Sequence, residues 1–260
     1  MHLSVITVCK NARDTIARAL SSVHRQSYRP VEHIVVDGVS TDGTLDILGE
    51  HRVGIARLVS EPDDGLYYAM NKGISLATGD YLGFLNADDI YSDADVLAKI
   101  ARALQSDPCD AAYGDLVYVP ESDPNAVVRY WKSGPYAPGL VERGWMPAHP
   151  TFFARTELLR KLGGFNTRYR FQADYELMVR LFLKERISTA YVPEVLVRMR
   201  VGGHTNRSLR NVLLGNLEAY RACLDNGVRA SPLFILHKLF SRLPQFFEHP
   251  PQWTPLPDWP

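Results

Sequence analysis

Apolar and polar positions along this chain fall into short blocks, and the period changes from block to block. LSVITV (3–8) is a β-branched, nearly continuous apolar run, the pattern of a strand buried on both faces of a parallel sheet. Over 12–27, Ile16, Ala19, Leu20 and Val23 recur at helical spacing. VEHIVVDG (31–38) predicts a second strand closed by Asp37-Gly38, and TLDILGEH (44–51) a short helix. A short strand runs into a turn over 56–65, and a helix follows over 66–79, with Gly79 as its stop signal. DYLGFLNADD (80–89) predicts a strand ending in a carboxylate turn, and VLAKIARAL (96–104) a helix. Strand and helix alternate, so the expected architecture is α/β: a Rossmann-like, mostly parallel sheet flanked by helices.

After residue 108 the texture changes. Prolines and glycines crowd 120–150, which predicts loops and edge strands over a cleft. DYELMVRLFLK (174–184) reads as a helix and STAYVPEVLVRMR (188–200) as a strand. The stretch 208–247 reads as a helical extension, with Pro232 at a helix start and a proline-rich tail, HPPQWTPLPDWP, behind it. The expected division is therefore 1–205, in halves 1–108 and 109–205, followed by 206–260.

Composition narrows the classes. The chain has 260 residues, 46% hydrophobic and 22% charged, with 29 basic against 29 acidic residues. No basic excess marks a nucleic-acid binder, so no such partner is expected. Cys9, Cys109 and Cys223 are odd in number and far apart, which fits neither a metal site nor a disulfide framework and suits a reducing compartment. No apolar run reaches membrane-span length, and the apolar stretch of MHLSVITVCKN is too short for a signal peptide, so a cytoplasmic location is expected.

In an open parallel sheet, ligands bind beyond the carboxyl ends of the strands. Those ends carry Asn11, then Asp37-Gly38 with Ser40 and Asp42, then Asp88-Asp89. Two adjacent carboxylates repel, and a bound cation with a phosphate would explain them. No G-x-G-x-x-G follows the first strand and no G-x-x-x-x-G-K-[ST] occurs, so neither a dinucleotide site nor a P-loop is supported. DGTL (42–45) looks like the end of a D-x-D-G-T phosphatase signature, but Ser40 stands where its nucleophilic aspartate belongs.

Five segments together resemble the family-2 inverting glycosyltransferases: SVITVCKN (4–11), LSSVHRQSY (20–28), HIVVDGVSTDGT (33–44), EPDDGLYYAMNKGISLATGDYLGFLNADDIY (61–91) and QADYELMVRL (172–181). Their order and spacing match over roughly 3–200. The resemblance implies a glycosyltransferase A-type fold and transfer of a sugar from a nucleotide-diphospho-sugar donor to a glycan or lipid-linked acceptor, in bacterial surface polysaccharide or glycolipid synthesis. It implies main chain near Thr7 and Val8 against the nucleotide base, with Asn11 at the same strand end. Asp37 would accept from a base N–H. Asp88 would face the ribose or the metal's water shell, and Asp89 the metal, Mg²⁺ or Mn²⁺, on the diphosphate. Asp174 would be the base for the acceptor hydroxyl. Many relatives carry an aspartate where Asn86 stands, so Asn86 either binds the donor or shapes the turn. It often carries Glu-Asp where this chain has Ala173-Asp174.

Plainer roles stand beside these. Asp37-Gly38 can be a turn, Asp88-Asp89 a cap for the helix after Ser92, and Asp174 an N-cap. Lys72 reaches the donor phosphates and Asp64 the donor sugar, or both serve loop-ordering ion pairs. His149 and His204 face the metal or acceptor, or fill structural positions. Tyr67, Tyr68, Trp131 and Trp145 stack on sugars or pack. Two rival classes remain: a catalytically inactive nucleotide-sugar-binding partner, and a sugar-phosphate nucleotidyltransferase, whose Gly-rich loop KNARDTIARAL lacks. Between 196 and 243 stand eight Lys/Arg against two acids, and LFILHKLFSRL (233–243) is amphipathic. That pattern predicts a peripheral contact with an anionic membrane surface at the inner face of the plasma membrane, or packing on the protein itself.

Overall fold

The structure is a computed structural model that describes residues 1–106, 108–202, 209–231, 233–251, 253 and 255. Among them run β1 (Leu3–Cys9), α1 (Ile16–His24), β2 (Val31–Asp37), α2 (Thr44–Glu50), β3 (Arg57–Ser60), α3 (Leu66–Leu76), β4 (Tyr81–Phe84), β5 (Ile90–Tyr91) and α4 (Val96–Ser106). Then come β6 (Ala111–Val119), β7 (Arg129–Trp131), β8 (Phe153–Arg155), α5 (Thr156–Lys161), α6 (Ala173–Val179), β9 (Thr189–Arg200), α7 (Leu209–Asp225) and α8 (Phe234–Phe240). A wide turn, Arg180–Lys184, continues α6.

The strands form one nine-stranded sheet, ordered β3-β2-β1-β4-β8-β6-β9-β5, with β7 paired to β6. β3, β2, β1 and β4 are mutually parallel, as their apolar runs predict. Beyond β4 the sheet is mixed: β8 runs antiparallel to β4 and β6, while β9 is parallel to β6. "Mostly parallel" therefore describes the half that carries the first strand ends. The apolar pattern does not single out 111–119, which forms β6, a strand with Gly114 and Asp115 in its interior. Both have local reasons. A Cβ at Gly114 would come within 2.6 Å of Leu196 Cδ1. The buried Asp115 carboxylate accepts from the Tyr130 and Tyr191 hydroxyls and the Ser133 amide.

The two faces of the sheet follow the period of two along β1. Leu3 and Val5 pack with α1 and α4, and Cys9 packs with α1 and α2. Ile6 and Val8 pack on the opposite face with α3, α6, α7 and α8. In α3, Gly73 lets the helix approach β1, since a Cβ there would meet Ile6 Cγ2 at 2.4 Å. Ala219, Ala222 and Cys223 of α7 and Phe234 of α8 are fully buried in the same core as Ile6 and Tyr175, so the C-terminal helices share the main core.

Thr7 points to the α1 face, where its hydroxyl meets His33 Nε2 at 3.0 Å. His33 Nδ1 in turn lies 3.3 Å from His24 Nε2, and the His24 ring packs near His51. Burial, then the charge of His24, pushes the His33 imidazole down to about 3, and burial lowers His24 as well. A histidine whose folded pKa lies below its unfolded value contributes stability that is complete above the unfolded value and is lost as pH falls toward the folded one. Unfolding free energy should therefore drop by about 2 kcal/mol between about pH 7.5 and 5 through His33 alone. Denaturant titrations across that range should show the slope, and His33→Gln should flatten it.

Candidate functional site

The parallel order places the ends of β3, β2, β1 and β4 side by side. Asp37, the last residue of β2, is fully buried beside Cys9, the last of β1. Its carboxylate accepts from the Ser40 amide at 3.0 Å, the Ser40 hydroxyl, the Ser60 hydroxyl at 2.7 Å and the Cys9 thiol at 3.6 Å. Burial would raise this carboxyl, but hydrogen bonds from Ser40 and Ser60 outweigh it and hold it below the ordinary range. The Cys9 thiol is pushed up by burial and by Asp37. Val8 is buried in the core, so this strand offers a ligand its end, at Cys9 and beyond, rather than its side chains at 7 and 8.

Asn11 is exposed and left-handed (φ 51°), a conformation its short amide tolerates. Its amide N–H donates to Ser40 Oγ at 2.8 Å and its Oδ1 accepts from Thr41 N at 2.9 Å, tying the loop after β1 to the loop after β2. Asp42 accepts from Thr44 and Arg13 and completes that tie.

The turn after β4 separates its two acids. Asp88 is exposed; Asp89 is fully buried. Asp89 accepts from Asn86 Nδ2 at 2.8 Å and from the Arg200 amide at 3.3 Å. Burial, then the charge of Asp88, pushes the Asp89 carboxyl well above its ordinary value. Helix α4 is organised by Asp93 and Asp95 and not by this pair: Asp93 accepts from the Asp95 amide, and Asp95 from Ser27.

The donor set suits one kind of metal. Among the described residues no three His, Cys, Asp or Glu side chains converge to hold an ion. A lone exposed carboxylate with a buried neighbour fits a hard divalent cation that takes its remaining oxygens from phosphates and water. Asp89, expected to face the metal, is enclosed and bonded by Asn86 and Arg200, so Asp88 is the carboxylate left open to hold such an ion, with Asp89 beside it.

Lys72 and Asp64 part company. Lys72 Nζ lies 2.9 Å from Glu61 and 2.5 Å from Asp63 and donates to Pro62 O at 3.0 Å, which is the loop-ordering arrangement. Asp64 is exposed in the same turn. Asp63, whose side chain is only 7% exposed, is the acid that sequence reasoning passed over. Its Oδ2 has no hydrogen-bond partner in the structure.

Across the cleft, Asp174 is half-buried in the first turn of α6. Gln172, not Asp174, is the N-cap residue. Asp174 Oδ1 accepts from the Tyr175 amide at 2.8 Å and lies 3.4 Å from the Tyr67 hydroxyl. Tyr67 belongs to α3, so one aromatic side chain joins the strand-end half to the α6 half. Burial, then Asp174, pushes its hydroxyl well above the ordinary tyrosine value, so it stays a donor. The approach to α6 is held from α7: Glu218 accepts from the amides of Arg170, Phe171 and Gln172 at 3.2, 2.7 and 3.1 Å.

His149 is buried, stacked on Phe84 (centroids 5.4 Å apart) and edge-on to Phe165. Burial lowers its pKa and Asp174 opposes that, so it is a packed, neutral ring close to the candidate base. Trp145 donates to Ser133 O and packs with Tyr136 and Phe182, Trp131 packs against the core, and Tyr68 is exposed. His204 and the boundary near 205 lie outside the described residues.

The family model described as Glycosyl transferase family 2 matches residues 4–174. A PGL/p-HBAD biosynthesis glycosyltransferase of Mycobacterium tuberculosis is 33% identical over 212 residues, covering 78% of this chain and 78% of its own. Among solved structures, Staphylococcus aureus TarS 1–349 superposes with a TM-score of 0.67 at 18% identity, over 92% of this chain and 71% of its own. The mannosyltransferase PcManGT of Pyrobaculum calidifontis, solved with GDP-Man and Mn²⁺, does so with a TM-score of 0.64 at 24% identity, over 91% and 68%. The last two share the fold. With the match running from β1 to Asp174, the chain belongs to glycosyl transferase family 2 and is a glycosyltransferase.

Proposed function

We propose that this enzyme is a metal-dependent inverting glycosyltransferase that moves a sugar from a nucleotide-diphospho-sugar to a glycan or lipid-linked acceptor of a surface glycan. The half 1–108 would bind the donor and 109–205 the acceptor. The observation that carries the reading is the facing of two acidic ends: Asp37 and Asp88-Asp89 at the ends of the two strands that flank β1, and Asp174 bonded to Tyr67 of α3, the helix packed on β1 and β2. The relative in PGL/p-HBAD biosynthesis supports a glycolipid pathway, and the Mn²⁺ bound by PcManGT supports a divalent cation, Mg²⁺ or Mn²⁺ here.

In this reading the base lies against the main chain at the end of β1, and Asp37 orders the pocket wall through Ser40 and Ser60. The cation, held by Asp88 with Asp89 beside it, would supply Lewis-acid help to departure of the diphosphate. Asn86 holds Asp89 in place. Asp174 accepts the proton of the acceptor hydroxyl as that oxygen attacks the sugar carbon from the opposite face. The Tyr67 hydroxyl steadies its second role as a hydrogen-bond acceptor. Lys72 keeps the turn 61–65 closed, and Asp64, projecting from that turn, reaches the donor sugar.

The membrane contact rests on α8, which is built inside out. Lys238 is buried, while Leu236, Leu239, Phe240, Leu243, Phe246 and Phe247 face outward, Phe240 63% and Phe247 80% exposed. Residues 233–247 contain no acid. An outward apolar face without negative charge fits the interface of an anionic bilayer. No described helix is long and apolar enough to cross a membrane.

Three measurements check these assignments. Asp174→Asn should lower turnover by about 10²–10⁴-fold while calorimetry finds donor affinity unchanged; near-normal turnover removes Asp174 as the base. Asp88→Asn should leave stability within about 0.5 kcal/mol yet abolish stimulation by Mn²⁺. Asp89→Asn should also cost about 1–3 kcal/mol in unfolding experiments, because an amide cannot accept from both Asn86 and Arg200 with the same geometry. In flotation, the protein should rise with vesicles containing phosphatidylglycerol but not with pure phosphatidylcholine, and Phe240→Ser with Phe247→Ser should leave it at the bottom. Equal behaviour with both lipids, or a dimer in light scattering that those substitutions dissolve, assigns the face to a second copy instead.

A further inference from the structure

The inward side of α8 holds a second, unexplained feature. Lys238 is 1% exposed; its Nζ donates to Gln172 Oε1 at 2.7 Å and lies 4.7 Å from the centroid of the Tyr175 ring. Its stem rests on Gly144 (φ +90°), where a Cβ would come within 2.9 Å of Lys238 Cβ. Arg242 stands in the turn just past the end of α8, where its amide donates to Leu239 O at 3.2 Å, and is partly buried. Arg129 of β7 reaches the same place. It donates through Nε to Gln245 Oε1 at 2.7 Å and lies over the rings of Tyr118 (4.8 Å) and Phe246 (5.2 Å).

Three cations are thus gathered with no carboxylate within ion-pair distance of any of them among the described residues. The partners of Lys238 and Arg129 are amide oxygens and ring faces. The cations act against one another: burial, then Arg242, pushes Lys238 down to about 7, and burial, then Arg129, lowers Arg242. Gln172, which Lys238 bonds, is the N-cap residue of the helix of Asp174, while Tyr118, under Arg129, pairs with Met199 next to the Arg200 whose amide holds Asp89. The cluster therefore borders both acidic ends of the cleft.

Leaving one buried charge uncompensated is costly, and gathering three compounds the cost unless an anion completes the set. A multiply charged oxyanion matches two guanidinium forks and an ammonium better than a single carboxylate does. We propose that Lys238, Arg242 and Arg129 form an anion site for a phosphate or diphosphate group, on the border of the cleft between Asp89 and Asp174. Two sources present that chemistry: the diphosphate of the donor and the phosphate of a lipid-linked acceptor. The inference leans on the proposed reaction only for which molecule brings the phosphate.

Binding in EDTA separates this site from anything a metal does. Calorimetry and thermal shift would use pyrophosphate, UDP, GDP and farnesyl phosphate with the full chain, with Arg242→Gln and with Lys238→Met. The wild type should bind at least one probe without metal, and each substitution should weaken it by about tenfold or more. Without any probe, Arg242→Gln should melt with the wild type, and Lys238→Met at the same or a higher temperature, since it removes an unpaired buried charge. Loss of nucleotide and pyrophosphate binding assigns the phosphate to the donor; loss confined to farnesyl phosphate assigns it to the acceptor. No binding of any probe by the wild type, or equal binding by wild type and variants, overturns the site. Arg242→Gln decides alone if Lys238→Met does not fold. Binding is read without transfer, so an inactive enzyme does not mimic a missing anion site.

Discussion

The fastening of Asp89 governs the geometry of the cleft. Its buried carboxylate takes the Asn86 side chain on one oxygen and the Arg200 amide on the other, so the turn after β4 is clamped to the end of β9. These two segments are over a hundred residues apart, and the clamp sets the position of Asp88, which projects from the turn into solvent. The clamp is strained electrically, because a buried acid stands next to a second acid and its carboxyl is pushed up. Acids perturbed in this way cluster at functional sites.

Much of this was legible in the sequence. The parallel half was visible because β1, β2 and β4 are continuous apolar runs ending in polar residues, and a sheet buried on both faces leaves little else in the strands. The resemblance carried the family and pointed to Asp37, Asp88, Asp89 and Asp174. What stayed hidden was relational. β6 is not marked by its own pattern because Gly114 answers to Leu196 and Asp115 to Tyr130, Tyr191 and Ser133, partners that lie 15 to 82 positions away along the chain. Nothing local distinguishes Asp63 from Asp64; only the fold turns one toward Lys72 and the other to solvent. Asn86 is clearer: its amide serves Asp89 in the structure, a role in shaping the turn.

The C-terminal helix also escaped a reading by pattern. A basic amphipathic helix is expected to turn its charges to water, yet α8 turns Lys238 inward and its phenylalanine outward. Packing explains the inversion. Gln172 and the Tyr175 ring give the ammonium a polar and an aromatic neighbour, and Phe234 alone fills the core socket beside Tyr175 and Tyr220. One short helix thereby faces two environments of opposite character.

Glu218 has a consequence for how such enzymes change over time. It lies in α7, beyond the region that matches the family, and yet it holds the three amides that lead into the helix of Asp174. The matched block is therefore not held by its own residues alone in this chain. Its last helix borrows stiffness from a segment outside the match. A lineage could exchange that segment to meet a new acceptor only by keeping an acid, or an equivalent acceptor of amide hydrogens, at this one point. Grafting the block onto a foreign C-terminus would carry the chemistry across and leave its alignment behind.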